Sequence, residues 1–114
     1  MTRQRQRLGR LGEDRALARY ESHGWTLVDR NVRTRRGELD LLVERDGVLA
    51  VVEVKARSSA RHGTGFDAVG VRKQRTIRQL TAAYLASSGR RWPQVRFDVA
   101  WVSPTGVRVL ESAF

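Results

Sequence analysis

Apolar positions along the chain follow a helical period in two segments and a strand period in five. Helical spacing runs from about Leu8 to His23 and from about Val71 to Ser88. The strand-like segments read WTLVDRNV, GELDLLVER, GVLAVVEVKAR, QVRFDVAWVS and GVRVLESAF. The order helix, three strands, helix, two strands predicts an α/β domain, with a mixed central β-sheet of about five strands flanked by two main helices.

Local signals mark where these elements end. Gly24 and Gly89 follow the two helices at the position of a C-capping glycine, and the dipeptide Asp46-Gly47 is favoured in two-residue hairpin turns. The polar segment 57–68 is typical of a mobile loop, and residues 1–7 are expected to form a basic, flexible N-terminal arm. Residues 8–114 are expected to form a single domain, because a chain of 114 residues suffices for one modest core.

The predicted hairpin determines which side chains share a face of the sheet. A two-residue turn at positions 46 and 47 places Asp40 opposite Glu53 and Glu38 opposite Lys55. Opposed residues point to the same side of a sheet and successive residues alternate, so these four charged groups are expected on one face. The opposite face is predicted to be core, formed by Leu39, Leu41, Val43, Ala50, Val52 and Val54.

Two carboxylates that face each other need a compensating charge. Like charges directly opposed destabilise a sheet, and Mg²⁺ or Mn²⁺ held by Asp40 and Glu53 would remove that repulsion. The backbone carbonyl of Val54 is a candidate further ligand. Lys55, on the same predicted face, could orient a water molecule or stabilise charge on a phosphate. The hairpin is therefore a candidate metal site.

Two of these observations also have a purely structural explanation: the charged face of the hairpin and the position of Glu13. The charged face could be a solvated ladder with a Glu38–Lys55 salt bridge, although the apolar Leu42 and Val51 share that face and argue against full exposure. Glu13 lies on the apolar side of the first helix, where it could point toward the hairpin carboxylates. It could equally serve the helix dipole near the first turn, and periodicity alone leaves both roles open.

The amino-acid composition predicts a polyanionic binding partner. The chain has 22 basic and 12 acidic residues, a net charge of +10 and a pI near 11.5, which is typical of proteins that contact nucleic acids. All but two of the basic residues are arginine, so a compositional bias is the alternative explanation. The absence of cysteine excludes disulfides and cysteine-ligated metal sites. No apolar segment is long enough to span a membrane, and the N-terminus lacks the apolar region of a secretory signal, so we expect a cytoplasmic protein without membrane contact.

A set of motifs follows the chain in a specific order: an acid in the first helix, G-E-x-D on one strand and E-x-K on the next. The segments that carry them and their surroundings are GRLGEDRALARYESHGW, RRGELDLL, VVEVKAR, AVGVRKQRTIRQLTAAYL and RFDVAWV. Together they resemble the YraN family of small bacterial proteins that are predicted endonucleases. The resemblance runs from about Leu8 to Phe114 and implies a restriction-endonuclease-like fold related to archaeal Holliday-junction resolvases.

The resemblance also implies roles for individual residues. Asp40 and Glu53 match metal-binding carboxylates, and Lys55 matches a catalytic lysine. Glu13 matches a helix acid that helps to bind the metal or to position a water molecule. Glu38 is expected to support these ligands from a neighbouring position.

Residues outside the hairpin receive less specific roles. Lys73 and Gln74 match a basic stretch at the start of the second helix, where contact with phosphate is expected. Asp98 matches a recurrent position of the family, but a carboxylate on such a strand is expected to be buried and structural rather than catalytic. The candidate contacts to nucleic acid are Arg36, Arg57, Arg72, Lys73, Arg75 and Arg78.

These features predict a nuclease that depends on Mg²⁺ or Mn²⁺ and hydrolyses DNA phosphodiester bonds. The sequence contains no zinc-finger or RNP signature, so selection of branched or junction DNA by shape is expected. Cutting both strands of a junction needs two sites and would imply a homodimer. Two alternatives stay open: a catalytically silent or partner-dependent nucleic-acid-binding adaptor with the same fold, and a basic RNA- or ribosome-associated protein with a salt-bridged hairpin.

Overall fold

Two helices and five strands make up the part of the chain that the structure describes, in the order predicted from the sequence. The computed structural model describes residues 3–56 and 69–114, with side chains from Arg10 onward. The helices are α1 (Arg3–Glu21) and α2 (Val71–Ser88). The strands are β1 (Thr26–Thr34), β2 (Gly37–Arg45), β3 (Val48–Ala56), β4 (Gln94–Ser103) and β5 (Gly106–Leu110). The loop predicted at 57–68, which includes Arg57, lies outside the described residues.

The five strands form one mixed sheet in the order β1-β2-β3-β4-β5. β3 and β4 are parallel, whereas the other neighbouring strands are antiparallel. Parallel neighbours require a crossover connection, and the segment that contains α2 makes this connection between β3 and β4. The predicted α/β class, with a mixed sheet of about five strands and two main helices, is confirmed.

The largest difference from the predicted boundaries is at the start of α1. This helix begins at Arg3 rather than Leu8, so it continues through most of the predicted N-terminal arm. Arginine and glutamine are good helix formers, and no proline interrupts this segment. α2 ends as predicted, and Gly89 after it has the left-handed conformation (φ 70°) that favours glycine. Neither of these two described helices is long and apolar enough to cross a membrane.

Each face of the sheet carries its own hydrophobic core beneath one helix. The α1 cluster consists of Ala16, Tyr20, Trp25, Leu41, Val43, Ala50, Val52, Ala100 and Val102. The α2 cluster consists of Leu39, Leu42, Leu49, Val51, Val69, Ile77, Leu80, Phe97, Val99 and Trp101. The sheet is therefore the middle of three layers, an arrangement that buries both of its faces.

Leu39 lies on the opposite face from the one predicted. It belongs to the α2 cluster together with Leu42, whereas Leu41 belongs to the α1 cluster. Strict alternation would place Leu39 with Leu41, so β2 departs from a regular pleat between Leu39 and Leu42. That departure falls at Asp40, the first of the predicted metal ligands.

Candidate metal site

The β2–β3 hairpin keeps the predicted register only as far as its apolar part. Its residues are paired from Arg45–Val48 to Leu41–Val52, as a two-residue turn requires. Asp40 does not pair with Glu53, and the predicted direct opposition is therefore wrong. The Oδ2 atom of Asp40 instead accepts a hydrogen bond of 2.9 Å from the backbone N–H of Val54. Direct opposition of the two carboxylates would be costly, because their charges repel. Where the strand pairing ends, the Asp40 side chain accepts the hydrogen bond that a backbone carbonyl would otherwise accept.

Three carboxylates converge at the point where this pairing ends. Oxygen atoms of Glu13, Glu38 and Asp40, one from each residue, all lie within 4.8 Å of one another. We call these three residues the acidic cluster. Glu38 was expected only to support the ligands, but the structure makes it a member of the cluster. Carboxylate oxygens gathered at this spacing can share a divalent cation.

Glu13 reaches the cluster because α1 packs directly on β3 at Gly12. A Cβ atom at position 12 would lie 2.9 Å from Cβ of Ala56, so no larger residue fits this approach without a shift. The following side chain, Glu13, is only 12% exposed. Of the two placements that periodicity left open, the structure has the one in which Glu13 points toward the hairpin carboxylates.

Glu13 is held by two residues of β1 that the sequence did not single out. A guanidinium nitrogen of Arg30 lies 3.5 Å from Oε1 of Glu13. Burial raises the pKa of Glu13, while hydrogen bonds from the side chains of Asn31 and Arg30 oppose that rise. Asn31 has a left-handed backbone (φ 54°), which is uncommon for a residue other than glycine. Asparagine is depleted in strands and tolerates this conformation, and this is the sequence signal that could have identified Asn31.

The Asp40 carboxyl has an unusual electrostatic environment. Burial raises its pKa to about 8, and the negative charge of Glu53 contributes to the rise. The hydrogen bond from the N–H of Val54 acts in the opposite direction but does not cancel it. A shift of this kind is typical of a carboxylate placed near others without a positive counterpart. A bound cation would favour the charged form of Asp40 and lower its pKa again.

Glu53 has a positive partner on α2. It is buried on β3, and its Oε1 atom lies 2.8 Å from Nζ of Lys73 in the first turn of α2. The charged residues that were predicted to share one face therefore have different partners in the structure. Glu38 and Asp40 gather beside Glu13 of α1, whereas Glu53 is paired with α2. Lys55 is half-buried on β3 and lies next to Trp101 of β4 in the sheet register.

The arginines predicted to contact nucleic acid differ in what surrounds them. Arg36, Arg72 and Arg75 are exposed. Arg78 is exposed as well, but its guanidinium lies over the ring of Phe97, 4.7 Å from its centroid, and near Phe114 at 5.7 Å, a geometry typical of cation–π contacts. Arg78 therefore has a structural contact, and the nucleic-acid contacts stay predictions.

Two further predicted residues have contacts within the fold. The Gln74 side chain donates a hydrogen bond of 2.8 Å to the carbonyl of Val69 and so fastens the start of α2. Asp98 is fully buried and accepts hydrogen bonds from the Tyr20 hydroxyl, the Arg96 guanidinium and the Ser112 N–H. The prediction that Asp98 is a buried structural carboxylate is confirmed.

A mixed sheet between two helices, with carboxylates gathered where a central hairpin stops pairing, defines an α/β domain with a candidate divalent-metal site. The model of an uncharacterised protein family, UPF0102, matches residues 12–102, and the chain belongs to this family. The resemblance to YraN proteins is thereby confirmed, since these are members of UPF0102.

Individual relatives support this assignment along most of the chain. A UPF0102 protein of Symbiobacterium thermophilum is 41% identical over 113 residues, which cover 95% of this chain and 96% of the relative. A UPF0102 protein of Rhodococcus jostii is 46% identical over 92 residues, 81% of this chain and 78% of the relative. A UPF0102 protein of Frankia casuarinae is 43% identical over 112 residues, 94% of this chain and 95% of the relative.

Proposed function

We propose that this protein is a metal-dependent nuclease that hydrolyses DNA phosphodiester bonds. The observation that carries the proposal is the acidic cluster at the end of the hairpin pairing. Carboxylates gathered at this density repel one another, and Arg30 and Arg33, which lie 3.5 Å from Glu13 and 3.2 Å from Glu38, offset only part of that repulsion. Perturbed acids that converge from separate elements are more common at functional sites than elsewhere. A divalent cation is the partner that this chemistry fits.

The set of donor atoms suits a hard cation. Glu13, Glu38 and Asp40 offer carboxylate oxygens, and the charge of Glu53 is close enough to act on Asp40. Mg²⁺ and Mn²⁺ prefer such oxygen ligands, whereas the cluster contains no imidazole or thiolate that would favour zinc or copper. When bound, such a cation supplies polarisation of a phosphate oxygen and a water molecule of lowered pKa.

The protein's own residues hold the cation and balance charge on the substrate. Glu13 brings a ligand from α1, and Asp40 brings one from β2 in its deprotonated form. Lys55 follows Glu53 by two residues on β3. Its ammonium group stabilises the negative charge that develops on the phosphate oxygens as the P–O bond breaks. A half-buried position strengthens this interaction, because water screens it less than at the surface.

The substrate class follows from charge rather than from base contacts. A net charge of +10 and the exposed Arg36, Arg72 and Arg75 favour a polyanion that is held through its phosphates. The sequence carries no base-reading motif, so we propose that the enzyme recognises the shape of DNA, with branched or junction DNA as the preferred class. Cleavage of both strands at a junction would require two copies of the chain.

One observation favours the adaptor as a second candidate function. Lys73 already neutralises Glu53 from within the chain, at 2.8 Å. An adaptor that binds nucleic acid without a metal needs such an internal counter-ion, because a buried unpaired carboxylate is costly. The two functions differ in one measurable respect: the adaptor binds DNA equally well with and without divalent cations, and it cuts no substrate.

The experiment that separates them is a cleavage assay on labelled single-stranded, duplex, flap, fork and four-way-junction DNA. Each DNA is tested with Mg²⁺, Mn²⁺ or EDTA. Three variants are compared with the wild type: Lys55→Ala, Asp40→Asn and, as a matched control, Glu21→Gln, which changes an exposed carboxylate of α1.

We expect cleavage that requires the metal, that survives Glu21→Gln and that is lost by at least about 100-fold in Lys55→Ala and Asp40→Asn. The substrate that is cut fastest then defines the specificity. Binding without cleavage by all four proteins, unchanged by EDTA, would reject the nuclease and favour the adaptor. A preference for structured RNA in the same binding assay would favour the RNA- or ribosome-associated alternative.

A further inference from the structure

Lys73 makes direct contact with a predicted metal ligand, as Arg30 does with Glu13. Its Nζ atom lies 2.8 Å from Oε1 of Glu53. The hydrogen bond to Glu53 raises the pKa of Lys73, and the charges of Glu53, Asp40 and Glu38 raise it further. The ammonium group therefore feels carboxylates of both hairpin strands, including two members of the acidic cluster. The Lys73 ammonium group is positively charged and lies beside Glu53, as a bound divalent cation would.

The two partners of this ion pair differ in their access to solvent. The Glu53 side chain is 9% exposed, whereas the Lys73 side chain is 58% exposed. A buried carboxylate needs a positive partner, whereas an exposed lysine on a flexible stem keeps its own charge solvated when another cation replaces it. Glu53 can therefore change partners, while Lys73 is free to turn outward.

Lys73 also lies among the residues that would meet a phosphate backbone. It is in the first turn of α2, next to the exposed Arg72 and near the exposed Arg75. A phosphate that approaches this turn competes with Glu53 for the ammonium group. A divalent cation competes with the ammonium group for Glu53.

We propose that Lys73 is an exchangeable counter-ion of Glu53 that couples the binding of DNA to the binding of metal. Without DNA, Lys73 neutralises Glu53 and lowers the affinity of the site for the cation. When a DNA phosphate takes Lys73, Glu53 becomes available as a ligand beside the acidic cluster. The inference rests on the proposed nuclease function and adds to it a regulation of the same site.

Coupling of this kind is reciprocal and can be measured from either side. If DNA raises the affinity for the metal, then the metal must raise the affinity for DNA by the same factor. Removing the charge of Lys73 imitates the DNA-bound state at Glu53, because the carboxylate then has no ammonium partner. A lysine that only supports the fold of the site would have the opposite effect, since its loss would loosen Glu53 and weaken metal binding.

The test is a calorimetric titration of Mn²⁺ into DNA-free protein. The wild type is compared with Lys73→Gln, with Lys73→Arg, which keeps the charge, and with Arg91→Gln, which removes an exposed positive charge outside α2. We expect Lys73→Gln to bind Mn²⁺ more tightly by about threefold to tenfold, a range typical of coupling between sites. Lys73→Arg and Arg91→Gln should stay close to the wild type.

The outcomes separate this inference from the proposed function. Equal or weaker Mn²⁺ binding by Lys73→Gln, with clear binding by the wild type, would overturn the role of Lys73 and leave the metal site intact. Absence of Mn²⁺ binding by all four proteins would overturn both proposals. Tight binding by Lys73→Gln alone would support the inference in its strongest form.

A second measurement tests the coupling through DNA. The affinity for a labelled DNA junction is followed by fluorescence anisotropy, with Ca²⁺ or with EDTA, so that binding is observed under conditions chosen to limit cleavage. We expect Ca²⁺ to tighten DNA binding in the wild type and to do so by a smaller factor in Lys73→Gln. An equal factor in both proteins would overturn the coupling.

Discussion

Asp40 and Asp98 are carboxylates of the same sheet with opposite surroundings. Asp98 on β4 is fully buried, and it accepts hydrogen bonds from the Tyr20 hydroxyl at 2.7 Å and from two nitrogens of Arg96 at 2.8 and 2.9 Å. The N–H of Ser112 adds a further bond at 3.0 Å. Asp40 on β2 accepts a hydrogen bond from the N–H of Val54 and otherwise lies among carboxylates.

The comparison shows that a buried aspartate can either stabilise the fold or remain ready to bind a ligand. The charge of Asp98 is balanced by Arg96, so it holds β4, α1 and the C-terminal segment together. Within the described part of the chain Asp40 forms no ion pair of this kind, and burial raises its pKa to about 8. A charge balanced within the chain is structural, whereas an unbalanced one weakens the fold and persists where a ligand can complete it.

The largest expected effect is on stability, at Asp98. Asp98→Asn should lower the free energy of unfolding by about 3–5 kcal/mol, because it leaves the largely buried Arg96 with only the more distant, exposed Glu111 as a counter-charge. Urea denaturation measures the change, with Asp46→Asn as control, since Asp46 is exposed and its turn position suits asparagine. A loss below about 1 kcal/mol for Asp98→Asn would erase the contrast between the two sites.

The same substitution at Asp40 should have the opposite sign. Asp40→Asn keeps an acceptor for the N–H of Val54 but removes the repelling charge, so we expect a gain of about 2 kcal/mol in metal-free protein near pH 9. The usual pKa of 3.8 is raised to about 8 in the folded state, so the wild type loses stability as the pH rises between these values. Near pH 4 the gain should vanish. Urea denaturation at both pH values, without metal, tests this prediction, and a destabilised variant at pH 9 contradicts it.

Metal binding should reveal the same raised pKa. Asp40 must lose its proton to act as a ligand, so the affinity of the wild type for Mn²⁺ should rise by up to about tenfold per pH unit below about 8 and then level off. Calorimetric titrations across this range provide the measurement. Asp40→Asn should bind weakly with a flatter profile. A flat profile in the wild type would exclude Asp40 as the group that limits binding.

The smallest expected effect concerns Arg75 and Arg78 of α2. Like the two aspartates, these residues differ in how far each is engaged by contacts within the fold. Both arginines are exposed, but only Arg78 of the two is engaged with Phe97 and Phe114. Arg75→Gln should lower the slope of DNA affinity against salt concentration, on logarithmic axes, by about 0.9 for each phosphate that the variant no longer neutralises. Arg78→Gln should leave the slope unchanged. Equal slopes for the wild type and Arg75→Gln would place the DNA-binding surface away from this face of α2.

Much of the fold could be predicted because its signals are local. The dipeptide Asp46-Gly47 determined the register of the hairpin from Arg45–Val48 to Leu41–Val52, and Gly89 determined the end of α2. The buried stripe of α2 also follows from spacing in the sequence, with Ile77, Leu80 and Thr81 buried. Periodicity of 2 or 3.6 residues is a property of neighbours along the chain, so it can be recognised without knowledge of the fold.

The candidate site was predicted in its members but not in its arrangement. Charges within an apolar strand are unusual, which singled out Asp40, Glu53 and Lys55, and Glu13 was singled out by its place on the apolar side of the first helix. These signals did not reveal that Asp40 would bond the N–H of Val54. Nor did they reveal the left-handed Asn31 beside Glu13 or the partner of Glu53 on α2.

The sequence by itself determined the order of helices and strands, the register of the hairpin near its turn and the identity of the unusual acids. Only the tertiary structure decided that Leu39 changes face, that Glu38 joins the acidic cluster and that Lys73 neutralises Glu53. The physical reason is the distance along the chain over which each interaction acts. Backbone periodicity acts between adjacent residues, whereas the pairing of buried charges depends on which distant elements pack together and on how far each pair is removed from water.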